Sequence, residues 1–288
     1  MGTNVSVLLT VRNVDKYISY CISALLNQTY NDFEIIIIDD VSSDNTKKMI
    51  EKFTDNRIRY IRNTEWFGLS KSRNKCLELA NGDYLFFTDG DCAVSKNWIS
   101  EGLKYLKNTD NVGIEGKTYY VSKEYKSTRS DDVVENKKGG LFMTCNIAYK
   151  KQVLKIIGGF DEKFTFHEDR DLAFRALKQG KIVFNPEMIV YHQRKTFTPK
   201  QFLKNGKIIR NRVLLYKKFK DKPSVIWRIV NPTELVSIFF PLLIFTSFFK
   251  NSYKSKDDFN LFPFIYVRLI YERLQLWEMC AKERIFLI

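Results

Sequence analysis

Phe33-Glu34-Ile35-Ile36-Ile37-Ile38-Asp39-Asp40 is a run of apolar, mostly β-branched residues that stops on two carboxylates. A strand without polar alternation is buried on both faces, as the interior of a parallel sheet requires. Upstream, Val5-Ser6-Val7-Leu8-Leu9-Thr10-Val11 reads as another strand, followed by a helical stretch over residues 16–26. Downstream come a helix over 46–53 opened by Ser43-Asp44, a strand over 58–62, a helix over 70–80 and a strand over 84–88. This alternation predicts an open α/β sheet flanked by helices, in which ligands bind beyond the carboxyl ends of the strands. At those ends stand Thr10, the pair Asp39 and Asp40, and the pair Asp89 and Asp91.

Bulk properties narrow the class. The chain has 288 residues, 44% hydrophobic and 28% charged, enough for one large domain and an appendage. Its net charge of +14 is concentrated at one end: residues 200–288 carry 17 Lys and Arg against 7 Asp and Glu, or +10. Five cysteines without CxxC spacing suggest neither a disulfide framework nor a zinc knuckle. A reducing compartment is expected, with no signal peptide before the first strand.

Two acidic motifs carry chemistry. Asp89-Gly90-Asp91 closes the strand over 84–88, and its small middle residue lets two carboxylates converge on a hard cation such as Mg²⁺ or Mn²⁺. Asp and Gly are also ordinary turn residues, so the triplet alone does not separate a metal site from a turn. Likewise His167-Glu168-Asp169-Arg170-Asp171-Leu172 opens a helix, where the macrodipole favours acids whether or not one of them is a general base. His192 follows an apolar stretch read as strands over 181–184 and 188–191. A lone histidine there fits either a structural or a ligand role.

The ordered series resolves these alternatives. Val5 to Thr10, Leu25-Leu26-Asn27-Gln28-Thr29-Tyr30, Phe33 to Asp40 and Ser42-Ser43-Asp44-Asn45-Thr46 are followed by Gly68-Leu69-Ser70-Lys71-Ser72-Arg73-Asn74 and Asn81-Gly82-Asp83-Tyr84. Asp89-Gly90-Asp91, Gly158-Gly159-Phe160-Asp161-Glu162 and Glu168-Asp169-Arg170-Asp171-Leu172 complete it. Together, over about residues 4–195, they resemble the family 2 glycosyltransferases. The resemblance implies a GT-A (Rossmann-like) open mixed sheet and inverting transfer of a sugar from a nucleotide donor, typically a UDP-sugar, with Mn²⁺ or Mg²⁺. Carried over by position, Thr10, Arg12 and Asp40 line the nucleoside pocket, and Lys71 or Arg73 approaches the base or diphosphate. Asp91 is the principal metal ligand, Asp89 meets ribose or metal, His192 is a further metal ligand, and Asp169 is the catalytic base. Many relatives have Tyr-Asn where this chain has Arg12-Asn13, so an aromatic contact to the base is either absent or replaced by guanidinium stacking, and a strict uracil preference does not follow. The QxxRW signature of processive synthases is missing, and transfer of a single sugar is expected.

A catalytic domain is thus expected over 1–199 and a basic, aromatic-rich helical region over 200–288. The latter holds a basic amphipathic stretch over 200–222, a Pro-interrupted apolar run over 235–249 and an aromatic segment over 259–288. The apolar run is shorter than the roughly 20 residues a spanning helix needs. Charge and apolarity together suggest peripheral or re-entrant association with an anionic, cytoplasmic membrane face, with Trp227, Phe239, Phe240, Phe248, Phe249, Tyr266 and Trp277 at the interface. A hydroxyl acceptor on a polyprenyl-linked saccharide or growing glycan follows from that placement. Two other classes share single features. A nucleic-acid-binding module would share the basic charge, but no recognition motif accompanies it and no nucleic acid is expected as a partner. A sugar-phosphate nucleotidyltransferase would share the sheet, but Thr10-Val11-Arg12-Asn13 lacks a glycine-rich phosphate loop.

Overall fold

The computed structural model describes residues 3–121, 135–193, 198–221 and 256–285. They fall into two compact units, the first made of 3–121 and 135–193, the second of 198–221 and 256–285.

The first unit is built on an eight-stranded mixed sheet. Four strands run parallel: β1 (Val5–Val11), β2 (Phe33–Asp39), β3 (Ile58–Arg62) and β4 (Tyr84–Phe87). With β5 (Cys92–Val94), β6 (Gly113–Tyr120), β7 (Ile147–Lys150) and β8 (Ile182–His192) the order is β3-β2-β1-β4-β7-β6-β8-β5. β7 is antiparallel to both β4 and β6, and β5 is antiparallel to β8. The stretch read as two strands over 181–191 is one strand. Asn185-Pro186 falls where β6 shifts register between Gly116 and Lys117, so the irregularity takes up the proline and β8 continues to His192.

Alternate residues of the central strands feed two hydrophobic layers. Val5, Val7, Leu9, Ile35 and Ile37 pack on one face, with Ile18, Ile22 and Leu25 of α1 (Ile18–Leu26) and Trp98, Ile99 and Leu103 of α4 (Trp98–Leu106). Between these helices in sequence lie α2 (Thr46–Ile50) and α3 (Leu69–Leu79). Leu8, Ile36 and Ile38 pack on the other face against Cys76 of α3, Val153 and Leu154 of α5 (Lys151–Ile156), and Leu172 and Ala176 of α6 (Glu168–Ala176). Ile35 to Ile38 are each 0% exposed, so β2 has no solvent face. Burial of each such side chain stabilises the fold by about 1.5–3 kcal/mol. All five cysteines are buried free thiols.

In the second unit α7 (Pro199–Lys204) opens on a capping box in which Thr198 Oγ1 accepts from Gln201 N. A 3₁₀ turn over Asn205–Ile208 leads into α8 (Ile209–Lys218), which packs against α9 (Lys256–Lys282) through Ile209, Val213, Leu276 and Cys280. Arg210–Glu278 and Lys217–Glu283 ion pairs, each 2.6 Å, flank that contact. On α9, Val267, Ile270, Leu274 and Trp277 recur at helical spacing and are all exposed. No helix among the described residues is long and apolar enough to cross a membrane. The run over 235–249, with Phe239, Phe240, Phe248 and Phe249, and also Trp227, lies outside the described residues.

Candidate active site

Because β1, β2 and β4 are parallel, their carboxyl ends lie along one edge of the sheet and carry Thr10, Asp39–Asp40 and Asp89–Asp91 to it. Asp39 faces inward: it is 0% exposed, accepts from Ser42 N and from Tyr60 Oη, each at 2.8 Å, and shapes the turn after β2. Asp40 holds the opposite turn. Its carboxylate accepts from Asn63 Nδ2 at 2.9 Å and from the Phe67 and Gly68 amides at 2.8 Å each. Gly68 sits at φ +80, the left-handed region that lets the chain present both amides and then enter α3. On β1, Thr10 Oγ1 is buried and has no hydrogen-bond partner among the described residues. A hydroxyl in that condition costs stability unless water or a ligand supplies the bond.

The second carboxylate pair is joined to β8. Cys92 of β5 is paired with His192, and Gln193 N donates to the Asp91 carbonyl at 2.9 Å. This ladder sets His192 Nε2 3.6 Å from Asp91 Oδ1, with both side chains buried. His192 Nδ1 lies 2.9 Å from the Gln193 carbonyl, which only accepts, so Nδ1 carries the proton. Nε2 thus faces the Asp91 carboxylate oxygen, and together the two atoms could hold a divalent cation. Gly90 allows the close fit, since a Cβ there would lie 2.8 Å from Val11 Cγ1.

Asp91, Cys92 and His192 offer ligand atoms within 4.8 Å of one another. Cys92 follows Asp91 directly in the sequence, but its nearness to His192 is visible only once β5 is paired with β8. Burial pushes its thiol well above the ordinary value, followed by a hydrogen bond with Cys145. The Asp91 oxygen and the His192 nitrogen could hold a divalent cation such as Mn²⁺.

Arg73 of α3 joins this edge to α6. Its guanidinium donates to Asp89 Oδ1 at 3.2 Å and to Glu168 Oε1, and the Arg73 side chain is 5% exposed. Arg73 is thus occupied by two carboxylates. Lys71, two residues earlier and exposed, sets its ammonium 3.9 Å from the Phe67 ring centroid.

At the start of α6 each of the three acids has a different surrounding. Glu168 pairs with Arg73, and Asp171 pairs with Arg175 at 2.7 Å, with Arg175 Nη1 also donating to the Ile157 carbonyl. Asp169 accepts from Arg170 N at 2.7 Å. Its carboxyl is pushed up to about 7, first by burial and then by the Glu168 charge, against the lowering effect of that amide and of Arg73 and Arg170. A carboxylate with a value near neutrality is matched to general-base work. His167 precedes it in the left-handed region, φ 66, with its ring edge-on to Phe166 at 4.7 Å.

A mixed sheet that gathers Thr10, Asp40, Asp91 and His192 at one edge, tied through Arg73 to the acidic start of α6, has the architecture of the GT-A glycosyltransferases. Residues 6–160 match the model of glycosyl transferase family 2, and the chain belongs to that family; it is a glycosyltransferase. Among curated relatives, the Escherichia coli UDP-Glc:alpha-D-GlcNAc-diphosphoundecaprenol beta-1,3-glucosyltransferase WfaP is 31% identical over 170 residues, 59% of this chain and 67% of that one. Two solved structures share the fold. S. aureus TarS 1-349 in complex with UDP has a TM-score of 0.57 at 16% identity, over 99% of this chain and 93% of that one. The mannosyltransferase PcManGT from Pyrobaculum calidifontis, in complex with GDP-Man and Mn²⁺, has a TM-score of 0.65 at 13% identity, over 96% and 88%.

Proposed function

We propose that this glycosyltransferase moves a single sugar from a UDP-sugar to a hydroxyl of a polyprenyl-linked saccharide, with inversion, at the cytoplasmic face of an anionic membrane. The observation that carries the reading is Arg73, whose one guanidinium reaches both Asp89 and Glu168. The acidic motif after β4 and the acidic start of α6 therefore belong to one site, with a leaving-group side and an acceptor side.

On the acceptor side, Asp169 takes the proton of the attacking hydroxyl as its oxygen bonds to the anomeric carbon. The bond from that carbon to the diphosphate breaks on the opposite face, and no covalent enzyme intermediate is needed. Asp91 and His192 would hold a divalent cation, with Asp89 beside them, and such a cation would supply positive charge to offset the negative charge developing on the departing diphosphate. Thr10 and Asp40 line the nucleoside pocket, Asp40 recognises the base, and Lys71 approaches the base or the diphosphate. Arg73 keeps Asp89 and Glu168 in register.

The donor and acceptor are supported by WfaP, whose name specifies UDP-Glc and a diphosphoundecaprenol-linked GlcNAc. Membrane association is supported by the +10 charge over 200–288 and by the exposed apolar stripe on α9. Incubation with radiolabelled UDP-sugars, Mn²⁺ and a polyprenyl-diphosphate-linked monosaccharide tests the reading. Transfer of one labelled residue to the lipid is expected. Transfer to water alone, or none with any UDP-sugar, would overturn it.

A further inference from the structure

Arg12-Asn13 leaves this chain without an aromatic residue directly after β1, yet the structure brings one to the same rim from elsewhere. Trp66 lies between β3 and α3 and is 62% exposed. Single exposed apolar side chains are common, so exposure alone says little. What distinguishes Trp66 is how its turn is held. The residues on either side of it, Asn63 and the Phe67 and Gly68 amides, all donate to the Asp40 carboxylate. Asp40 N in turn donates to the carbonyl of Val11, the residue before Arg12, at 2.9 Å. The Arg12 guanidinium carbon lies 5.7 Å from the Trp66 ring centroid. Arg12, Asp40 and Trp66 therefore share one rim at the end of β1 and β2, beside the unpartnered Thr10 hydroxyl.

Nucleobases stack on aromatic rings and on guanidinium planes, whatever their hydrogen-bonding edge. We infer that Trp66 is a donor-binding residue: its indole, together with Arg12, forms the face on which the nucleobase of the donor stacks. The inference rests on the nucleotide-donor reading above and adds a residue to it. It separates two tasks. Trp66 and Arg12 supply affinity for any base, while Asp40 and Thr10 read its edge, so losing the indole weakens UDP and GDP alike.

The test uses the full chain with Mn²⁺ and titrates UDP while following tryptophan emission and, separately, thermal unfolding. UDP should quench the emission of the native protein. Trp66→Phe should lose that quench while keeping UDP affinity, from the thermal shift, within about threefold, because phenylalanine still stacks. Trp66→Ala should weaken UDP binding by about 5- to 150-fold, the range expected for one lost stacked base. UDP binding by Trp66→Ala as tight as in the native chain, or a quench that persists in Trp66→Phe and so arises from another of the 4 tryptophans, would overturn the inference. If the Ala variant does not fold, the quench in the Phe variant decides. Absence of any nucleotide-induced thermal shift in the native chain would instead sink the nucleotide-donor reading, and this inference with it.

Discussion

Asp169 differs from the acids on either side of it in what surrounds it, not in its own chemistry. Glu168 and Asp171 each have an arginine, whereas Asp169 sits beside the Glu168 charge and is raised from 3.8 to about 7. Two consequences follow. As the base, it works only when ionised, so kcat/KM should climb through about pH 7, and Asp169→Asn should lose about 10²- to 10⁴-fold in transfer while still binding UDP. A variant with native turnover would remove Asp169 from the reaction. For stability the sign is reversed: a carboxyl raised in the fold holds its proton more firmly there than in the unfolded chain. Its contribution is complete below about pH 4 and is lost as the pH rises through about 7. Asp169→Asn, which cannot ionise, should unfold at a higher temperature than the native protein at pH 8 and at a similar one at pH 4. The sequence marked this aspartate only as one of three acids at a helix start, because the identity of each acid's partner is set by tertiary packing.

Between elements, Arg73 is the tie from α3 to both the β4 end and α6. Its side chain and that of Glu168 are 5% and 6% exposed, so removing the guanidinium strands a carboxylate in a dry setting. Arg73→Met should cost about 3–5 kcal/mol in chemical unfolding, whereas a loss under 1 kcal/mol would mean the pair is not buried in solution. The parallel half of the sheet was legible because β1, β2 and β4 are apolar runs that end abruptly on polar residues. Of the other half only β8 was legible, as two strands because Asn185-Pro186 interrupts it; β5 has three residues and β6 contains two glycines, so neither shows a clean period. That is why Asp91 and His192 could be named separately from sequence while the nearness of His192 to Asp91 and Cys92 waited for the β5–β8 pairing. Trp66 was illegible for a related reason: a turn residue has no period, and only its neighbours' bonds to Asp40 locate it.

Across the whole molecule, charge and chemistry are divided between the two units: the α/β unit holds the site and residues 200–288 hold +10 of the net +14. If that charge serves a membrane, the full chain should float with anionic liposomes at low salt and be released as salt is raised, since screening shortens the reach of each charge. A chain that stays in the soluble fraction with anionic vesicles would remove the membrane from the account. In the α/β unit, a cation held by Asp91 and His192 would serve the leaving-group side of glycosyl transfer. The decisive measurement is the thermal shift produced by UDP with and without Mn²⁺, in the native chain and in Asp91→Ala. A Mn²⁺-dependent shift is expected in the native protein and none in the variant; an Asp91→Ala protein that kept the full Mn²⁺-dependent shift would rule the cation site out.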